Sequence, residues 1–457
     1  MVNCGRGNEE KVIYSSESLN EDSMGKILSN YCKTLLEVKE FDGLQCSSND
    51  EKRVNDNFQS DILFISVTTK DGEVFHIVSK ESLTYSSRFL SWLQTISRPF
   101  YKECIWYRIA LPLLSQLWPI VKELSPKCYY GEVNTGLSLI RPISLKYFGL
   151  LGYSLVAKSE KSLILLENVC KRLGDGKFET INKMNIIDFD FALSAMRTMA
   201  HFHGIWRQFL YGGKTPREPN TSPQDFLNIF QPKLSSYGMK SFIGRITLMI
   251  INLLCNNVEG GVELAERYKR YSKSEEIINL HIQMFTNPST EKSKLKTMIH
   301  GDYWTNNLLY RPSDKFTMMI DYQIMQIAHP ARDFWYFIYS STDRQWRELY
   351  LEQCKRTYYD IYCSYADTNQ CLTYEQLSKE LEDRRGIGIF IPFMTILITK
   401  YPEQIDKQHM VLFGKDYDKV IKVIGQKEKE DDHPNIKKMR HLFIDAVQEA
   451  ADLGLIK

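Results

Sequence analysis

The chain has 457 residues, with 58 basic side chains against 56 acidic ones and a formal charge of +2. The two signs are interspersed, which excludes the broad positive footprint that nucleic-acid binding needs. At 43% hydrophobic and 25% charged the composition is that of a globular protein, and the length exceeds the size at which one core usually stops growing, so two lobes are expected.

The first 56 residues are polar and charge-rich around one amphipathic stretch, "MGKILSNYCKTLLEVKEF", and read as a helical lead-in to a domain that begins at residue 57. From Ser60, "SDILFISVTTKDGEVFHIVSKE" reads as two strands joined at Asp71-Gly72, a hairpin turn signal that brings Lys80 to the end of the second strand. The next stretch, "SSRFLSWLQTISRPFYKECIWYRIALPLL", has helical spacing interrupted by Pro99 and carries Glu103. "CYYGEV" and "SLILLENV" read as a further strand pair that completes a small sheet over residues 57–170.

Residues 171–457 are mostly helical in pattern, including "FDFALSAMRTMAHFHGIWRQFL" and the closing "HLFIDAVQEAADLGLIK". The most apolar windows, "FIGRITLMIINLLC" and "GIGIFIPFMTILITKY", are shorter than the ~18 to 20 residues that span a bilayer and read as buried helices. The charge run "QKEKEDDHPNIKK" reads as a solvated loop. The 10 cysteines show no C-x-x-C pair and no metal-ligand spacing, and the first residues lack an apolar signal core. Free thiols in a reducing, cytoplasmic compartment are expected.

Within this helical half lies "HGDYWTNNLLY", which crowds His300, Asp302, Asn306 and Asn307 before an apolar run. The strands "NNLLYR" and "FTMMIDYQ", separated by the turn-rich "PSDK", form a hairpin that brings Asp302, Asn307 and Asp321 together. The spacing Asp302-x-x-x-x-Asn307 matches the catalytic-loop logic of phosphoryl transfer, in which an aspartate accepts the acceptor hydroxyl's proton and an asparagine binds magnesium. Asp321 stands where a second magnesium ligand belongs, and an amide with a carboxylate suits magnesium and not zinc. Lys80 and Glu103 have the order and separation of the pair that orients nucleotide phosphates.

The segments "HGDYWTNNLLY", "MMIDYQ" and "HPARDFWYF" closely resemble the ecdysteroid-kinase-like and choline-kinase-like phosphotransferases. "FYKECIWYRIALPLL", "PKCYYGE", "LLENV", "MAHFHG" and "LGLI" extend the resemblance from about residue 57 to the end. The resemblance implies an α+β fold, bilobal and protein-kinase-like, of the aminoglycoside/choline phosphotransferase type, with a small mixed-sheet N-lobe and a large helical C-lobe. It implies ATP and Mg2+ as cofactors, Asp302 as catalytic base, Asn307 and Asp321 as metal ligands, and Lys80 with Glu103 on the phosphates. Glu167 to Val169 would be the adenine-side hinge. Where the family carries a glycine-bearing loop, this chain reads "NDNFQS", keeping Asn57, Phe58 and Ser60 but placing Asn55 at the glycine position; asparagine tolerates the required backbone at some cost.

The expected activity is ATP- and magnesium-dependent phosphorylation of a small-molecule alcohol, whether steroid, choline-like or xenobiotic, with no nucleic acid, no membrane span and no obligate protein partner. Two other readings stay open: a nucleotide-binding scaffold with weak or no turnover, motivated by Asn55, and a lipid or sterol carrier, motivated by 23 phenylalanines and 26 tyrosines. His300, His201 and His203 are expected to be structural, Trp304 and the "DFWYF" run to pack the core as readily as to stack on a steroid, and Asp333 to support the loop by hydrogen bonding.

Overall fold

The computed structural model describes residues 15–44, 60–82, 98–133, 162–183, 185–214, 222–230, 255, 259–273, 295–366, 372–388 and 434–456. It divides into two compact units, residues 1–178 and 179–457. The loop carrying Asn55, Asn57 and Phe58 lies outside the described residues, as do residues 83–97 and most of both apolar windows. Among the described residues no helix is long and apolar enough to cross a membrane.

The first unit is built on a five-stranded sheet in the order β1-β2-β3-β5-β4. Its strands are β1 (Val38–Leu44), β2 (Ser60–Thr69), β3 (Val74–Ser82), β4 (Cys128–Val133) and β5 (Ser162–Glu167). The sheet was expected to be mixed, but each of its pairings is antiparallel. The β2–β3 connection turns at Gly72, whose φ of +86° is open to glycine without a side-chain penalty. β5 is the apolar run Ser162–Leu166 closed by Glu167, and its burial between β3 and β4 explains why it lacks an alternating pattern.

The amphipathic stretch near the N-terminus forms α1 (Glu21–Cys32), opened by a capping box between Asn20 and Ser23 and ended by Lys33 in the left-handed region. The helix expected to continue through Phe41 therefore stops at Cys32, and Val38–Leu44 pairs with β2 instead. Leu19, Met24, Ile27, Leu28 and Leu36 from this segment share one core with Ile65, Val67, Ile77, Leu163 and Leu165 of the sheet. At ~1.5–3 kcal/mol for each fully buried aliphatic side chain, that packing makes residues 15–44 part of the unit's own stability.

α2 (Pro99–Ile105) carries Glu103 and runs through a π turn at Trp106–Ala110 into α3 (Leu111–Ser115). Pro112 has no N–H for a helical bond to the preceding turn, and the Leu111 N–H donates five residues back to the Trp106 carbonyl. The turn is fixed to β4 by Arg108, which donates to the Gly131 carbonyl at 2.8 Å, and to the following loop by Trp106 Nε1 on Ser125 Oγ at 3.0 Å.

The second unit is organised around α4 (Phe189–Tyr211), a long helix whose inner face runs from Phe191 to Leu210. Two small antiparallel sheets flank it. One joins β6 (Glu179–Thr180), β8 (Leu308–Arg311) and β9 (Phe316–Met319); the other pairs β7 (Thr297–Ile299) with β10 (Gln326–Ala328). Thr198 and Tyr303 hydroxyls donate across this packing to the Thr317 and Ala195 carbonyls, at 2.7 and 2.6 Å.

α5 (Ala331–Ser341) is buried at every residue, and α6 (Arg344–Ser364) and α7 (Tyr374–Glu382) lie beyond it in sequence. The C-terminal helix α8 (Pro434–Asp452) is fastened by Glu449, which accepts from the buried guanidiniums of Arg347 and Arg385. The charge run expected to be a loop enters this helix at Pro434, because proline is tolerated in a first helical turn.

Candidate active site

In the first unit, Lys80 lies in β3 opposite Ile62 of β2 and Ile164 of β5. Its Nζ donates to both carboxylate oxygens of Glu103, at 2.8 and 3.0 Å. The pair is buried, with side-chain exposures of 7% and 0%, so each charge depends on the other for compensation of its lost hydration. Burial pushes the neighbouring Cys128 thiol up to about 12 and the Cys104 thiol well above its ordinary value, with the Glu103 charge adding to both.

The segment Glu167–Val169 begins at the last residue of β5. Glu167 N–H donates to the Lys127 carbonyl and Asn168 N–H to the His76 carbonyl, both at 2.8 Å, so these two donors serve the sheet. The Glu167 carboxylate is gripped by Arg172, Nε on Oε1 at 2.9 Å and Nη2 on Oε2 at 2.8 Å. Burial opposes that charge, and Arg172 nevertheless holds Glu167 below the usual carboxylate range. Val169 is buried. Ser60 is also buried, at the start of β2 opposite Ser82.

In the second unit, β7 ends at Ile299 and the chain enters His300-Gly301-Asp302. Asp333, at the start of α5, accepts the His300 N–H on Oδ2 at 2.7 Å and the Gly301 N–H on Oδ1 at 2.9 Å. His203 of α4 braces the same carboxylate, with Nε2 at 3.1 Å from Oδ2 and Nδ1 at 2.9 Å from the Tyr358 hydroxyl. Burial would raise Asp333, but the hydrogen bond and charge of His203 and the backbone donors bring it below its ordinary value. Gly301 has φ +88°, and a Cβ there would lie 2.5 Å from the Ile324 carbonyl oxygen. Glycine is the residue this turn admits.

His300 Nε2 donates to the Ile320 carbonyl at 3.0 Å, which leaves Nδ1 to accept the Asp302 N–H at 3.4 Å. Both ring nitrogens are thus used in holding the loop, and His300 is a brace. His201 bonds the Tyr365 hydroxyl at 2.6 Å; among the described residues no cluster of three or more His, Cys, Asp or Glu could hold a metal. Trp304 and the whole Phe334–Phe337 run are buried in the core.

Asp302 is held at both oxygens. Oδ1 accepts the Tyr336 hydroxyl at 2.6 Å and Oδ2 accepts Asn307 Nδ2 at 2.8 Å; the same Nδ2 reaches the Asp302 carbonyl at 3.0 Å. Burial raises the Asp302 carboxyl, the Asp321 charge adds to this, and the two side-chain donors oppose it. Asn307 closes a short 3-10 turn, Thr305–Asn307, and its carbonyl accepts the Ile320 N–H at 3.0 Å, which ties the loop to the far end of the hairpin. Asp321 follows with φ +66°, a left-handed conformation that aspartate tolerates better than most side chains. Asn307 is thus bonded to Asp302 and, through its carbonyl, to Ile320, the residue before Asp321.

Two neighbours of Asp302 were not anticipated. Tyr336 lay hidden in an aromatic run read as core packing or a steroid-stacking surface, although its position three residues after Asp333 puts both on one helix face. Arg332 is buried beside Asp333, Tyr336 and Asp302; burial lowers its guanidinium to about 10, and the acidic groups oppose that.

The chain is an α+β protein of two units, with a carboxylate loop and hairpin in the helical one, and its family makes it a small-molecule kinase. The model of the ecdysteroid kinase-like family matches residues 54–364, and the chain belongs to that family. No curated protein matches it. Among solved structures it is similar to the choline kinase LicA from Streptococcus pneumoniae, at 12% identity and TM-score 0.34 over 88% of this chain and 99% of that one. It is also similar to the macrolide 2'-phosphotransferase MphH from Brachybacterium faecium, at 10% identity and TM-score 0.38 over 86% and 98%. A choline kinase from Cryptosporidium parvum Iowa II is 12% identical, with TM-score 0.37 over 96% and 93%. Likenesses at this level say nothing of the substrate.

Proposed function

We propose that the chain transfers the γ-phosphoryl group of ATP to a hydroxyl of a small molecule, with magnesium held by Asn307 and Asp321 and Asp302 receiving the hydroxyl proton. The observation that carries this reading is the Asp302 carboxylate, half-buried and gripped at each oxygen by a separate donor. A group held in this way is suited to aim a hydroxyl and to take its proton as the new O–P bond forms and the bond to the ADP oxygen breaks.

The donor set fits a hard cation. Asn307 commits its Nδ2 to Asp302, which turns Oδ1 into the ligating atom, and Asp321 supplies an anionic oxygen after the adjoining strand. When bound, magnesium neutralises charge on the phosphate oxygens. Lys80, oriented by Glu103, would contact the phosphates, Asn57 and Ser60 are the further phosphate-side candidates, and Glu167 to Val169 would flank the adenine. Because Glu167 is committed to Arg172, Val169 is the more suitable contact within that segment.

For the acceptor we propose an alcohol of the steroid class, such as an ecdysteroid, with choline-like and xenobiotic alcohols as further candidates. The support is the family to which residues 54–364 belong. We place the reaction in the cytoplasm on the strength of the cysteines, whose spacing in the sequence shows no C-x-x-C pair.

The test is incubation of the purified chain with magnesium, ATP labelled in the γ-phosphate, and either ecdysone or choline. Label transferred to an alcohol, and abolished by chelation, is the expected result. Absence of both transfer and ATP binding would exclude the proposal.

A further inference from the structure

We infer that Tyr336 is a positioning residue for phosphoryl transfer, its hydroxyl fixing the orientation of the Asp302 carboxylate toward the acceptor. The inference rests on the function proposed above.

One helical turn of α5 grips consecutive residues of the loop. Asp333 takes the backbone N–H groups of His300 and Gly301, and Tyr336 takes the Asp302 side chain at 2.6 Å. Backbone and carboxylate are therefore referred to one rigid element, buried along its entire length.

A carboxylate held at a single oxygen still turns about its terminal torsion, which is broad and weakly restricted. Asn307 supplies only one such contact to the Asp302 side chain, on Oδ2. Tyr336 supplies the contact on Oδ1, from a different element, and the torsion is locked. Each oxygen retains acceptor capacity for an incoming hydroxyl.

The two donors differ in what else they do. Asn307 doubles as a proposed metal ligand, so its loss would confound metal binding with orientation. Tyr336 is not among the proposed metal or phosphate ligands. In the transfer step the acceptor's proton passes to Asp302, its oxygen bonds to phosphorus, and ADP departs with the electrons of the broken P–O bond. Tyr336 keeps its own proton throughout. Misdirecting a reacting group by about 1 Å costs on the order of a hundredfold in rate, while ground-state nucleotide binding has no need of that alignment.

The test is Tyr336→Phe, which removes the hydroxyl and keeps the ring. ATP consumption, phosphate transfer to ecdysone and to choline, and ATP titration by calorimetry are measured for wild type and variant. Transfer kcat should fall about 10- to 100-fold, with the KM and Kd for ATP within about twofold of wild type. Water should also take a larger share of the phosphoryl groups. Unchanged kcat in an active protein overturns the inference while leaving the proposed function standing. Parallel loss of kcat, ATP affinity and folded protein also overturns it, because the hydroxyl would then be a folding element. A wild type that neither binds nor consumes ATP refutes the proposed function, and the positioning role falls with it.

Discussion

Lys80 Nζ and the Glu103 carboxylate form a bidentate ion pair at 2.8 and 3.0 Å, with the glutamate fully buried. Removing one partner of such a pair leaves a charge without its compensation and costs roughly 3–5 kcal/mol, whereas replacing both with apolar groups of similar volume is often neutral. Lys80→Met should therefore lower stability as well as turnover. Lys80→Met combined with Glu103→Leu should recover most of the stability and none of the activity. Chemical denaturation of the three proteins, together with ATP turnover, checks this; full stability in the single variant would show that the pair is worth little.

Gly301 tests the loop's geometry. A Cβ placed at φ +88° would approach the Ile324 carbonyl oxygen to 2.5 Å, and the atom it meets is backbone. Gly301→Ala should cost roughly 2 kcal/mol or more through strain and displacement, and should lower phosphate transfer further because Asp302 is the next residue. A urea midpoint equal to that of wild type would mean that the turn relaxes freely.

The acid limb of stability should carry a signature of His329. It is fully buried, its Nδ1 accepts the Ala331 N–H at 3.1 Å, and burial pushes it down to about 4 from an ordinary 6.5. The folded state therefore holds it neutral while the unfolded chain takes up a proton below 6.5. Its contribution is complete above that pH and is lost as pH falls from about 6.5 toward 4, by roughly 3 kcal/mol across the window. His329→Asn retains an acceptor for Ala331 and should flatten this part of the pH–Tm curve. Equal slopes in the two proteins would assign the acid sensitivity to other groups.

Local chemistry explains why the hairpin turn at Gly72, the strand–helix pair carrying Lys80 and Glu103, and the Asp302-Asn307-Asp321 hairpin were legible in the sequence. Each rests on a short-range signal: a turn dipeptide, an apolar run, or ligating residue types at fixed spacing. β1 was not legible, because Lys39, Glu40 and Asp42 hide it and its apolar residues continue the spacing of α1. Its place is decided by pairing with β2, a relation between distant segments. Tyr336 was missed for a similar reason. In an element buried on every side, periodicity no longer separates a packing aromatic from one whose hydroxyl reaches a carboxylate 34 residues away. The Glu167–Arg172 fork depends in turn on a 3-10 turn after β5, which strand alternation does not encode.

The central claim is a division of labour between two carboxylates: Asp302 aims and deprotonates the acceptor, and Asp321 binds the metal. Asp302→Asn keeps a polar group of the same shape and leaves the proposed metal ligands in place, whereas Asp321→Asn removes an anionic oxygen that a hard cation prefers. Calorimetric titration of both variants with ATP, in the presence and absence of magnesium, tests the claim most directly. Asp302→Asn should bind ATP with the magnesium dependence of wild type while transferring no phosphate, and Asp321→Asn should lose the magnesium-dependent part of binding along with turnover. Equal magnesium-dependent binding by the two variants would contradict the account.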